Sequence, residues 1–145
     1  MEVTAVTIAI AGLGLLIMGL LVTLQLVAVI RPRAAWTIAN VYGGDPSATD
    51  ETAYFAFNQG LAWADALLWG PAQLAGSVGM LLGYRWGFVV ALIGSVPFVY
   101  TAVPLYVWDR DLGFRRNTAG YWVLWVVFPA YGAAEMAYCA VRLLT

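Results

Sequence analysis

Long apolar stretches separated by short polar ones set the pattern of this chain, and each apolar stretch has the length of a helix that crosses a bilayer. The first runs from Val3 to Ile30, about 28 residues against the roughly 20 that span the hydrocarbon. It stops at Arg31-Pro32-Arg33, where proline removes a backbone donor. A polar stretch from Ala34 to Thr52 follows. Within it Ser47 or Thr49 is placed to cap the next helix, with Asp50 and Glu51 in its first turn, where the helix dipole favours negative charge. That second helix is expected over residues 52–83, longer than lipid requires, with a kink at Gly70-Pro71. Tyr84-Arg85-Trp86 turns the chain into a third span, about 87–107, bent by Pro97 and Pro104. The charged loop from Asp109 to Arg116 leads to a fourth, about 119–144, with Pro129 inside it. The pattern therefore predicts an all-α integral membrane protein. Its expected form is a single domain, residues 1–145, built as a four-transmembrane-helix bundle with Pro-kinked helices and short loops.

Composition agrees with this reading. Hydrophobic residues make up 63% of the chain and charged residues 10%, against about 25% charged in soluble domains. A net charge of −1 leaves no basic face for nucleic acid. Membrane lipids are the expected partners, together with a homo-oligomer or a larger membrane complex.

The seven cations are all arginine, and without lysine no Schiff base can form. Without histidine there is no imidazole ligand and no His-based triad, and Cys139 stands alone. No metal site and no cofactor are expected. In a four-span chain the loops after spans one and three share a side. They carry Arg31, Arg33, Arg110, Arg115 and Arg116, against Arg85 and Arg142 on the other. This bias predicts both termini on the non-cytoplasmic face. Tyr84, Trp86, Trp108, Tyr121 and Trp122 fall near span ends, as interfacial anchors do.

Small residues at Ala72, Gly76, Gly79 and Gly83 line one face of span two and predict a close helix seam. Gly12 and Gly19 offer a matching shallow face on span one. Two acids lie inside spans, where a carboxylate must face protein or water. Asp65 shares a helical stripe with Asn58 and Gln73, with Trp69 on the same face and Gln59 beside Asn58. Glu135 shares a face with Tyr131, Tyr138 and Cys139, and its candidate partner is Arg142, two turns on, or a neighbouring helix. The ligand-binding candidates are thus Asn58, Gln59, Asp65, Trp69, Gln73, Tyr131, Glu135 and Tyr138.

Whether the two acids meet depends on where span two begins. A start at Gln59 separates them in depth by about 13 Å, whereas a start near Thr52 brings them level. The function expected from these features is binding, as a membrane-complex subunit or a holder of an apolar or lipid ligand. The alternatives are a lipid-modifying enzyme or isomerase using Asp65, Glu135 or both as acid–base groups, and a proton-coupled carrier working as a dimer.

Overall fold

The computed structural model describes residues 1–42, 52–103 and 123–145. Among the described residues all regular structure is helical. The elements are α1 (Ala5–Ile30), α2 (Ala35–Asn40), α3 (Thr52–Ala64), α4 (Gly70–Leu81), α5 (Arg85–Tyr100) and α6 (Phe128–Leu144). The expected features at Ser47, Thr49, Asp50, Glu51, Pro104, Trp108, Asp109 to Arg116, Tyr121 and Trp122 lie outside the described residues.

A reciprocal cap opens α1. The Thr7 N–H donates to Thr4 Oγ1, and the Thr4 N–H donates to Thr7 Oγ1, both at 3.2 Å. The helix ends where Arg31-Pro32 was expected to stop it. The short helix α2 departs from the polar stretch expected there. Its Ile38, with Tyr42 just beyond, is buried against Ala28 and Ala62, and the Tyr42 hydroxyl donates to the Ala28 carbonyl at 3.4 Å. Two well-placed apolar side chains suffice to dock so short a helix, whatever the average polarity around them.

At Gly70-Pro71, where a kink is expected, the helix is irregular but continuous. A π-helical segment, Asp65–Trp69, joins α3 to α4 without a break, and the Gly70 N–H bonds the Asp65 carbonyl five residues back. A second π segment, Val123–Val127, leads into α6. Each is followed by one residue and then a proline, Pro71 and Pro129. Proline has no N–H to give, and its ring presses on the carbonyl four residues back. Widening the preceding turn relieves that clash and lets the helix run on.

The turn between α4 and α5 rests on Gly83, whose φ of +72° disfavours a side chain. Around it the Gly83 N–H reaches the Met80 carbonyl at 3.0 Å and the Tyr84 N–H reaches that of Gly79 at 2.9 Å. This is a wide glycine-terminated helix end.

Helix α4 packs between α1 and α5, and α6 packs on α5. The small-residue seam is real but narrower than expected, and its partner is α5. A Cβ on Gly76 would lie 2.7 Å from the Ala91 nitrogen, and one on Gly79 would lie 2.7 Å from the Gly87 Cα. Ala72 is exposed, and Gly83 meets the Met1 backbone. Nor do Gly12 and Gly19 face the seam, since nothing lies within 4 Å of a Cβ at either. The close-approach glycine of α1 is Gly14, against Tyr131 and Ser77. At roughly 100° per residue, Gly12 and Gly14 lie on opposite sides of the helix.

Both termini lie at one end of the bundle. The Met1 amine donates to the Gly83 carbonyl, Arg142 donates to the Glu2 carbonyl at 2.6 Å, and Arg85 donates to the Leu143 carbonyl at 3.4 Å. The seam yields a direct test. Gly76→Leu should destabilise the fold by about 1–3 kcal/mol or more, as overpacking does. Gly12→Leu, pointing into open space, should not. Denaturant unfolding in detergent compares the two, and equal stability would refute the α4–α5 contact.

Candidate functional site

Burial decides which polar groups matter here. Thr7, Gln73, Ser77, Ser95 and Glu135 are all fully inaccessible, and a buried polar group must find partners or cost stability. Glu135 is held from two helices. Gln73 on α4 donates through Nε2 to Glu135 Oε2 at 2.6 Å. Tyr131, one turn back on α6, donates to Oε1 at 2.8 Å. The Tyr131 hydroxyl also lies 3.3 Å from the Ile10 carbonyl of α1, so three helices meet at this carboxyl.

Phe98 packs edge-on against both Tyr131 and Trp69, with ring centroids 5.3 and 4.8 Å apart. The Trp69 indole donates to the Gly94 carbonyl at 2.6 Å. A Cβ at Gly94 would collide with Gln73 Oε1, so glycine there gives the amide its room.

Asp65 belongs to a different cluster. Its partner is Gln25 of α1, whose Nε2 donates to Oδ2 at 3.1 Å. The expected stripe of Asn58, Asp65 and Gln73 is therefore divided. Gln73 serves Glu135, Asp65 serves α1, and Asn58 and Gln59 are half-buried in α3, which precedes both. Asp65 and Gln73 are eight residues apart, about 12 Å along a helix, so the two acids occupy separate levels. The helix does begin at Thr52, yet the acids are not level. Gln73 meets Glu135 at one level, and Asp65, bonded to Gln25 late in α1, lies nearer the far end.

Of the two partners expected for Glu135, a neighbouring helix supplies one through Gln73, and Arg142 turns elsewhere. Arg142 donates to the Tyr138 hydroxyl at 3.1 Å and to the Glu2 carbonyl, and its guanidinium lies 5.4 Å from the centre of the Phe88 ring. Tyr138 in turn shares hydrogen bonds with Thr7 at 2.5 Å and Thr4 at 3.0 Å. These groups form a polar seam between α1 and α6 that ends at the termini. Cys139 is buried, its thiol 3.8 Å from the Met80 sulfur.

Among the described residues no three His, Cys, Asp or Glu side chains converge on a point. The cluster can bind or pass a proton, or clamp helices together. It has no paired carboxylates for bond cleavage. Comparison with family models, curated proteins and solved structures finds no match to this chain.

Sequence reasoning did not single out Gln25, Thr4 or Thr7. An amide or hydroxyl inside an apolar stretch was the available signal, and Gln25 is the one amide in α1. The Gln25–Asp65 bond should behave as a structural clamp. A double-mutant cycle with Gln25→Leu and Asp65→Leu should give a coupling of about 0.5–2 kcal/mol in unfolding free energy. Additive effects would show that the two side chains do not interact.

Proposed function

We propose that this chain is a multi-pass integral membrane bundle that acts by binding, as a subunit of a membrane complex. One observation carries the reading: the bundle seals its few polar groups among apolar side chains and is apolar outside as well. Glu135, Gln73 and Ser77 are sealed in, while Leu16 is 73% exposed, Leu68 72% and Ile93 66%. Large apolar side chains are exposed on α1, α3, α4, α5 and α6 alike, including Leu20, Leu61, Val78, Val89 and Val141. Soluble monomers rarely present contiguous apolar surface on this scale.

The ends of the bundle differ from its middle. Exposed Tyr84 and Trp86 stack at the end that holds the termini, with ring centroids 6.1 Å apart. Exposed Trp36 and Tyr100 lie at the opposite end, with Arg31 and Arg33. Aromatic and charged ends around an aliphatic waist suit two interfaces and a hydrocarbon layer.

Taken singly, Ala5–Ile30 is the one described helix long and apolar enough to cross a membrane, and Arg85–Tyr100 is a shorter apolar helix. The unbroken helical path from Thr52 to Leu81 has the length of a second span, about 45 Å at 1.5 Å per residue. Bulky Met18, Met80, Phe88 and Phe98 fill the interior. An apolar partner therefore meets the outer face, which favours a subunit over a holder of an internal lipid. Gly12 and Gly19, two turns apart with open space over both, leave a shallow place on that face.

Two measurements test the reading. The expressed chain should stay in the membrane pellet through alkaline carbonate extraction, and release into the supernatant would overturn it. For orientation, Thr145→Cys in a Cys139→Ser background should label from outside intact cells. Labelling only after permeabilisation would reverse the predicted topology.

A further inference from the structure

The Tyr131 hydroxyl has one proton and two acceptors within reach, Glu135 Oε1 at 2.8 Å and the Ile10 carbonyl at 3.3 Å. It cannot donate to both. Beside it lies Ser77 Oγ, buried and without a hydrogen-bond partner. A Cβ on Gly14 would contact both hydroxyls, so they converge on the same point of α1.

Among the described residues no cation answers a carboxylate at this level. Helix α1 contains no charged residue, nor does α4, and α5 has only Arg85, at its first position and bonded to the Leu143 carbonyl. On α6 the other titratable or charged groups along this face are Tyr131, Tyr138, Cys139 and Arg142, and Arg142 is engaged by Tyr138 and Glu2.

We propose that Glu135, Tyr131 and Gln73 form a buried site for one exchangeable proton, whose occupancy decides whether Tyr131 donates to Glu135 or to the Ile10 carbonyl. With the proton bound, the Glu135 O–H donates to the Tyr131 oxygen and the phenol proton turns to Ile10. Gln73 Nε2 continues to donate to the other carboxyl oxygen. Every acceptor named is then satisfied, and α6 is tied to the α1 backbone. When the proton leaves to water, Tyr131 turns back to the carboxylate and the tie to α1 is lost. No bond other than the O–H changes, and the charge of the site goes from zero to minus one.

The site suits a proton better than a metal cation. Gln73 turns its N–H group toward the carboxyl and Tyr131 donates an O–H, while the Gln73 carbonyl oxygen, set against Gly94, and Ser77 Oγ are buried without a hydrogen-bond partner. A metal ion would compete with these two donors for the lone pairs of the one carboxylate the site supplies. The polar seam of Tyr138, Thr7 and Thr4 continues toward the termini and marks the side from which the proton would exchange.

The inference rests on the membrane reading only in having lipid surround the bundle, and carbonate extraction tests that separately. Its own test is infrared spectroscopy of the full chain in lipid nanodiscs, titrated in H2O and D2O. The C=O stretch of a protonated carboxylic acid should be present at low pH, shift in D2O and decline as pH rises. It should vanish in Glu135→Gln and persist in Asp65→Asn.

Should Glu135→Gln fail to fold, two measurements keep Glu135 in place. The band should shift when glutamate carries 13C in the unmutated chain, and it should move in Tyr131→Phe, which removes one hydrogen bond. An acid band absent at every pH would overturn the proposal. So would a band that ignores both pH and D2O, or one abolished by added sodium at constant pH, which would identify a cation site.

Discussion

The Glu135 carboxyl has no access to solvent, and neither lipid nor packed side chains can replace the hydrogen bonds it gives up on leaving water. Its partners must come from the protein, and they come from different helices. Gln73 reaches it from α4, while Tyr131 links it toward Ile10 of α1. A bond of 2.6 Å between two buried side chains ties α4 to α6 at this level, while α5 packs against both. With Gln73 placed, Gly76 and Gly79 fall on the next turns, where they meet Ala91 and Gly87. The glycine contacts then bring α5 close enough for Gly132 of α6 to rest over Ser95 and Phe98.

The two π segments serve that arrangement. Each widens the helix just ahead of a proline, and each changes which face the following residues present. One extra residue per wide turn rotates the downstream helix by about 100° relative to a plain α-helix. Asp65 lies before this rotation is complete and Gln73 after it. The two are also eight residues apart, about 12 Å along a helix, and it is this difference in depth that gives them different neighbours. The same widening precedes α6, upstream of Tyr131 and Glu135.

Much of the helical architecture was legible in the alternation of apolar runs and breakers. The long first helix, the turn after Leu81, and the burial of Gln73, Tyr131 and Glu135 all follow from length, glycine and the cost of a carboxyl among apolar side chains. The pairings were less legible. Ideal helical spacing joined Asp65 to Gln73, although eight residues, about 12 Å along a helix, part them in depth. Sequence proximity on one helix joined Glu135 to Arg142, but Arg142 finds Tyr138 and a backbone carbonyl near the chain start. The glycine stripe revealed a seam without its partner, since a small residue shows that something comes close and not what. Helix α2 was hidden because two buried side chains, Ile38 and Tyr42, outweigh a polar neighbourhood.

The two acids show how position within one bundle divides similar groups between different tasks. Asp65 is partly buried, sits in the wide turn and is answered by one amide from α1. A single bond between neighbouring helices is enough for a clamp, and its remaining valences can be met where the side chain is accessible. Glu135 has no accessible edge, and its two oxygens face two donors, one of which has a second acceptor in reach. Such a group cannot change charge without moving a hydrogen bond between helices. Burial therefore turns an otherwise local protonation into a change in how α6 is held to α1. An exposed glutamate in the same helix would titrate against water and leave the packing unaltered.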